Sequence, residues 1–201
     1  MNHQLRHAAA ALALLALAPV QARTTTTCYH FDGQAAGASW PVDSAQAVPV
    51  SIGEVRIRPL VLDGAEVAPA NRFFRVAPDG QRIAGGSAPE MQGKNVAVQI
   101  VPRPGAGSVS LKLSHQPGPE LGRAVMVEVN GARHDWRGSV ASLNERALDG
   151  AGGAASFEVD VVPVGDNLWH SGWLRVTSTQ GIESFTIGAA ELRLDDVCIE
   201  R

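Results

Sequence analysis

Short runs in which apolar and polar residues alternate recur along this chain, and they constrain its fold more than any other feature. Four clear runs lie at residues 54–58, 108–113, 124–129 and 157–161, and further strands are expected at 72–76, 95–101, 172–179, 182–187 and 191–199. Period two with one polar side is typical of antiparallel strands that cover a core on one face. Gly- and Pro-rich breaks separate the runs. The pattern predicts an all-β, antiparallel two-sheet β-sandwich, and we expect jelly-roll connections.

Two segments between the strands carry more specific signals. Asn130-Gly131 predicts a two-residue hairpin turn, because both residues tolerate positive φ. Residues 139–148 predict a short helix, in which Ser142 and Glu145 have the spacing of a capping box.

Residues 1–22 have the pattern of a signal peptide. Arg6 gives a weakly basic start, an Ala/Leu-rich run follows at 8–18, and residues 20–22 offer small side chains for cleavage. The apolar run is short for crossing a bilayer, and a retained anchor is the alternative. We therefore expect one domain over residues 23–201, periplasmic or secreted, with no membrane insertion after the signal peptide is removed.

The chain has two cysteines, Cys28 and Cys198. In an oxidising compartment such a pair indicates a disulfide, and two free buried thiols are the alternative. By the loop-entropy argument, closing a loop of about 170 residues stabilises the fold by roughly 4–5 kcal/mol. The net charge of −3 gives no reason to expect nucleic acid as a partner. The sequence does not predict an oligomeric state.

The segment ELRLDDVC, residues 191–198, places a carboxylate where an apolar residue is expected. Strict alternation puts Leu192, Leu194 and Asp196 on one face together with Cys198, and the leucines indicate that this face is buried. A buried, unpaired carboxylate costs several kcal/mol and must find a partner. If the cysteines are bonded, antiparallel pairing centred on them sets His30 opposite Asp196.

Three solutions for this aspartate are open. Calcium is one, with Asp196 and either Asp32 or Asp195 as ligands beside backbone carbonyls. A second is a hydrogen-bonded pair with His30 or with backbone amides of the first strand. The third is a β-bulge at Asp195-Asp196, which shifts the parity and turns one carboxylate outward.

Both ends of the expected domain resemble a known group of proteins. An opening strand that ends in Phe31-Asp32-Gly33 and a closing strand with Asp195-Asp196-Val197, within residues 181–198, are similar to jelly-roll domains of the galactose-binding-like superfamily and to carbohydrate-binding modules. The resemblance implies paired end strands, a structural calcium nearby, and carbohydrate binding without catalysis.

The first candidate for a ligand-binding surface lies in the segment NLWHSGWL, residues 167–174. Alternation turns Trp173 outward, where with Trp169 and His170 it would offer an apolar platform for a sugar ring. The alternative is that both tryptophans cover the core or a neighbouring strand.

A second candidate follows the predicted hairpin. Trp136 and Arg137, within HDWRG, combine an aromatic ring with a charge and suit the lining of a cleft. An ordinary polar loop with one anchoring tryptophan is the alternative.

Catalytic motifs are missing from the sequence: there is no nucleophile elbow, zinc-protease motif, P-loop or dinucleotide fingerprint. We therefore expect an exported, non-catalytic domain that binds a carbohydrate or a cell-surface glycan. The alternative is a structural or protein-interaction sandwich of the cell envelope, and a glycan-active hydrolase or lyase is less favoured.

Overall fold

The structure, a computed structural model, describes residues 24–43, 45–77, 82–83, 89–117, 124–150, 153–165 and 168–201. The expected signal peptide lies outside these residues. In the described part of the chain, no helix is long and apolar enough to span a membrane. The regular elements there are antiparallel strands and short 3-10 turns, which confirms the all-β class.

The described residues contain fourteen strands. They are β1 (Thr26–Tyr29), β2 (Val48–Val50), β3 (Gly53–Pro59), β4 (Val61–Leu62), β5 (Ala65–Glu66), β6 (Phe73–Val76), β7 (Met91–Pro102), β8 (Ala106–His115), β9 (Val125–Val129), β10 (Ala132–Trp136), β11 (Ala147–Gly150), β12 (Gly153–Val164), β13 (Trp169–Ile182) and β14 (Phe185–Glu200). The 3-10 turns are Phe31–Gly33, Pro69–Asn71 and Val140–Leu143.

Strand β14 is the central strand of the fold, because it pairs with β1, β7, β8 and β9. The main hydrogen-bonded path is β11-β12-β13-β8-β14-β7-β3-β2, while β1 and β9 also pair with β14. Residues 185–189 of β14 lie between β7 and β9, and residues 198–200 lie between β8 and β1. One long strand thus serves both layers of an antiparallel sandwich, whose buried side chains form one main core. The jelly-roll connection remains a prediction.

The core follows the alternation in the sequence. Val55 and Ile57 of β3 are buried, as are Val109, Leu111 and Leu113 of β8. These side chains join a single apolar cluster, in which each fully buried Val, Leu or Ile contributes about 1.5–3 kcal/mol. Period two therefore predicted which side of these two strands faces inward.

Three local predictions meet different outcomes. Asn130 and Gly131 close the β9–β10 hairpin with φ of 50° and 86°, which confirms the turn. The strands expected at 182–187 and 191–199 are parts of one continuous strand, β14.

The short helix expected within 139–148 is a single 3-10 turn. Its N-cap is Ser139, whose side chain accepts a hydrogen bond from the Ala141 amide, so the Ser142 cap was wrong. Ser142 instead accepts a hydrogen bond from the Trp136 indole at 2.7 Å.

The two ends of the described chain are joined. Cys28 and Cys198 are directly opposite in the β1–β14 register and form a disulfide. Thr25 and Arg201 exchange backbone hydrogen bonds beyond them. The predicted disulfide and the predicted pairing of the end strands are both confirmed.

Candidate binding groove

A β-bulge in β14 resolves the position of Asp196. Asp195 pairs with Lys112 of β8, whereas Cys198 already pairs with Ser110, so β14 carries one residue more than β8 over this stretch. Asp196 has φ of 46°, the left-handed conformation that a bulge residue adopts. The extra residue reverses the alternation of the strand beyond it.

The bulge corrects the expected arrangement of side chains. Leu192 and Leu194 face the core before it, and Val197 and Ile199 face the core after it. The expectation that Asp196 shares a buried face with the two leucines was therefore wrong. Asp196 lies on the opposite side of the sheet, which we call the outer face.

Two side chains contact the Asp196 carboxylate, Lys112 from β8 and His30, the residue after β1. The Lys112 ammonium donates to Oδ2 at 2.5 Å, and His30 Nδ1 lies within hydrogen-bond distance of Oδ1. Burial on its own would raise the pKa of Asp196, but the hydrogen bonds and charges of Lys112 and His30 outweigh burial and lower it. The Asp196 carboxylate is thus held ionised. Two of the three solutions expected from the sequence, the β-bulge and the contact with His30, occur together.

These residues line an open groove with a volume of about 470 Å³. The groove crosses four adjacent strands of the outer face, from β13 through β8 and β14 to β1. Its lining comprises Trp173, Arg175, Ser110, Leu111, Lys112, Asp196, Cys198, Cys28 and His30. Trp173 is 40% exposed, so an aromatic surface stands beside an ionic cluster in contact with solvent.

Arg175 forms the other polar wall of the groove. It pairs with Glu200 of β14, and the same carboxylate accepts a hydrogen bond from the Ser108 hydroxyl at 3.2 Å. Arg175 lies two residues beyond Trp173 on β13, and both side chains point to the outer face, as the alternation of buried Leu174 and Val176 requires.

The other residues expected to join Trp173 lie elsewhere. Trp169 shares the outer face of β13, but Arg82 and Arg193 stack against its ring at 5.3 and 5.7 Å. In the alternation of β13, His170 falls on the same side as the core-facing residues, and its Nδ1 lies 2.8 Å from the Ser139 hydroxyl. The structure therefore does not bring Trp169 and His170 into the groove with Trp173.

Trp136 and Arg137 are also remote from the groove. Trp136 lines a separate pocket of about 210 Å³, where Arg146 covers its ring at 4.3 Å. Arg137 pairs with Asp63 at 2.8 Å on the surface. Each of the two therefore has a partner within the chain.

The described residues give no support to the expected calcium site. They contain no group of three or more His, Cys, Asp or Glu side chains that could hold a metal. Both oxygens of Asp196 have protein partners, and buried Asp195 accepts a hydrogen bond from the Asp196 amide at 2.8 Å. The side chain of Asp32 lies outside the described part. Calcium remains a prediction, and a lower melting temperature after chelation would support it.

Two histidines, the buried His115 and the half-buried His170, form a pair that the sequence analysis did not identify. His115 and His170 face each other across β8 and β13, with ring centroids 6.0 Å apart. Burial, and then the charge of His170, lower the pKa of His115 to about 3, and burial also lowers the pKa of His170. His115 Nε2 accepts a hydrogen bond from the Val140 amide at 3.3 Å. The pair is neutral at physiological pH and serves packing.

Sequence reasoning also missed Lys112 and Arg175. Lys112 lies within the alternating run at 108–113 and Arg175 within the strand expected at 172–179, but neither was predicted to be a site residue. A signal was present, because Lys112 is one of only two lysines in the chain and sits mid-strand between buried leucines. In comparisons with known proteins, no family model, no curated protein and no solved structure matches this chain.

Proposed function

We propose that this protein is a non-catalytic carbohydrate-binding domain, and that its ligand site is the groove beside Trp173. The observation that carries this proposal is the exposed Trp173 ring, which borders a 470 Å³ groove with charged and hydroxyl groups along it. A sugar has C–H faces that pack on an aromatic ring and hydroxyls that need polar partners. Trp173 offers the first, and Lys112, Arg175 and Ser110 offer the second.

The three tryptophans that the sequence offered as stacking surfaces, Trp136, Trp169 and Trp173, differ in what covers their rings. Guanidinium groups of the chain stack on Trp169 and on Trp136. Among the described residues, Trp173 makes no ring–ring or cation–π contact of that kind. Its ring surface is therefore the most accessible of the three to a ligand.

A printed glycan array tests this proposal. The parent protein should bind a subset of the glycans, and Trp173→Ala should lose that binding because the stacking surface is removed. Trp136→Ala is the matched control, since it removes a tryptophan that Arg146 already covers. Absence of glycan binding, or binding that Trp136→Ala abolishes and Trp173→Ala preserves, would contradict the proposal.

A protein-interaction role is the second candidate, and one observation favours it. Among the described residues, the exposed large apolar side chains are Val162, Leu168 and Trp173, which are 52%, 53% and 40% exposed. All three lie on β12, β13 or the turn between them. Exposed apolar side chains on one hairpin suit a protein partner of the envelope, and absence of glycan binding on the array would favour this role.

We also infer that the protein works outside the cytoplasm. The Cys28–Cys198 disulfide supports this, because reducing compartments keep such thiols unpaired. Fractionation should find the protein in the periplasm or medium without residues 1–22. Recovery of an uncleaved, reduced chain from the cytoplasm would contradict this inference.

A further inference from the structure

We infer that Asp196 is the positioning residue of the groove: it fixes the Lys112 ammonium and the His30 imidazole beside Trp173, and so determines which glycans bind. This inference rests on the proposed function and assigns a role to one residue of that site. Asp196 itself has both oxygens occupied, so it acts on a ligand through the two groups that it holds.

The Asp196 carboxylate links these two groups. Lys112 comes from β8 and His30 follows β1, while the carboxylate that contacts both comes from β14 between them. Lys112 also lies directly opposite Trp173 in the β13–β8 register. Fixing the ammonium therefore fixes a donor next to the aromatic surface, which reduces the ordering cost of binding.

Backbone conformation supports a functional role. A residue with φ of 46° in a β-bulge is the position at which glycine is favoured, since a Cβ is unfavourable there. The chain carries an aspartate instead, and aspartate accepts this conformation at some cost. A strained position that keeps a charged side chain in an open groove is a reason to propose function.

Holding the chain ends together does not require Asp196. The disulfide, the four paired residues of β1 and the backbone bonds between Thr25 and Arg201 already join these strands. Phe31, the residue after His30, is fully buried and packs against Trp40 and Phe74. The Asp196 carboxylate is therefore not needed to join the first and last strands, and its remaining role is to position Lys112 and His30.

The decisive variant is Asp196→Gly, which keeps the bulge conformation and removes the carboxylate. On the same printed glycan array, the glycans that depend on Trp173 should need at least tenfold more protein for half-maximal signal. The melting temperature should stay within a few degrees of the parent. Asp196→Asn, which tolerates positive φ and keeps an oxygen acceptor, should recover part of the binding.

Acetylation of the two lysines measures positioning without any glycan. Lys112 pairs with Asp196 at 2.5 Å, and Lys94 pairs with Glu191 at 3.1 Å, so Lys94 is an internal control. With acetic anhydride and mass spectrometry, Asp196→Gly should raise the labelling rate of Lys112 severalfold relative to Lys94.

The outcomes separate the two proposals. If Trp173→Ala loses glycan binding while Asp196→Gly binds within twofold of the parent, the groove is the site and the role of Asp196 is overturned. An unchanged ratio of Lys112 to Lys94 labelling in Asp196→Gly overturns it as well. A parent protein that binds no glycan overturns the proposed function, and this inference falls with it.

Discussion

Two ends of the same outer face carry similar ion pairs in opposite surroundings. At the covered end, Arg193 of β14 pairs with Glu90 at 3.3 Å, and their side chains are 1% and 0% exposed. At the open end, Lys112 pairs with Asp196 at 2.5 Å, and the exposed fractions are 35% and 15%. The two pairs lie on β14 only three residues apart.

The difference comes from what covers each pair. The amides of Arg82 and Ile83 donate to Glu90 at 2.7 and 2.6 Å, which brings that segment of chain over the covered end. Trp169 closes the same end by stacking with Arg193. At the open end, Trp173 borders the groove and leaves the pair in contact with solvent. The covered pair is shielded from solvent, whereas the open pair stays in contact with it.

Removing one partner of the covered pair should have the largest effect. We expect Glu90→Gln to cost about 3–5 kcal/mol of unfolding free energy, because it leaves the Arg193 charge buried. Urea denaturation measures this. Glu191→Gln, in the exposed pair with Lys94, is the control and should cost about 0.5 kcal/mol or less. A cost near that of the control would show that the two ends do not differ as described.

Acid should destabilise the fold through His115 at a higher pH than it affects the open pair. Because burial lowers the pKa of His115 from 6.5 to about 3, the unfolded chain binds a proton that the folded chain does not between those values. Stability should therefore fall as the pH drops, by about 2–3 kcal/mol over two units below pH 6.5. Thermal melts at several pH values measure this slope.

His115→Gln should flatten that slope, since glutamine does not titrate. Asp196 changes stability in the same direction but at lower pH, because its pKa is lowered from 3.8 and its stabilising contribution is present above that value. Its contribution should be lost only as the pH falls further. An equal slope in the parent and His115→Gln would contradict the assignment.

Removing the open pair should cost less than removing the covered one. Asp196→Ala should lower the unfolding free energy by about 1 kcal/mol, because the donors left behind can be hydrated. Chemical denaturation at neutral pH and moderate salt gives this value. A cost above that of Glu90→Gln would mean that the open pair, too, is mainly structural.

Within the groove, the smallest effect on stability is expected at Trp173. Its 40% exposed side chain borders solvent, so Trp173→Ala should shift the unfolding free energy by about 0.5–1 kcal/mol while glycan binding is lost. Calorimetry and the array together separate stability from binding at this position. A large loss of stability would make Trp173 a packing residue.

The sequence predicted the parts of the fold that depend on local alternation or on pairing of the cysteines. Runs such as 54–58 and 108–113 became strands with the expected buried side, and the cysteine register placed His30 beside Asp196. Trp173 faces outward, as its parity predicted. These features follow from period two and from one covalent constraint.

The groove could not be predicted from the sequence, and the causes are physical. One extra residue at Asp196 reverses the parity of a strand, and alternation over so short a segment cannot reveal it. Lys112 reaches Asp196 from 84 positions away, through the order of the strands rather than through any local pattern. The cover over Arg193 depends on where Arg82, Ile83 and Glu90 lie, which hydropathy does not encode.

The position of the disulfide has a mechanical consequence. Cys28 and Cys198 enclose a sequence separation of 170 residues, so nearly all of the sandwich lies inside one covalent loop. Tension applied between residues outside that loop is carried by the sulfur–sulfur bond and not by the hydrogen bonds of the sheets. The groove, together with Trp173 and Asp196, would keep its shape while the two ends of the chain are pulled apart.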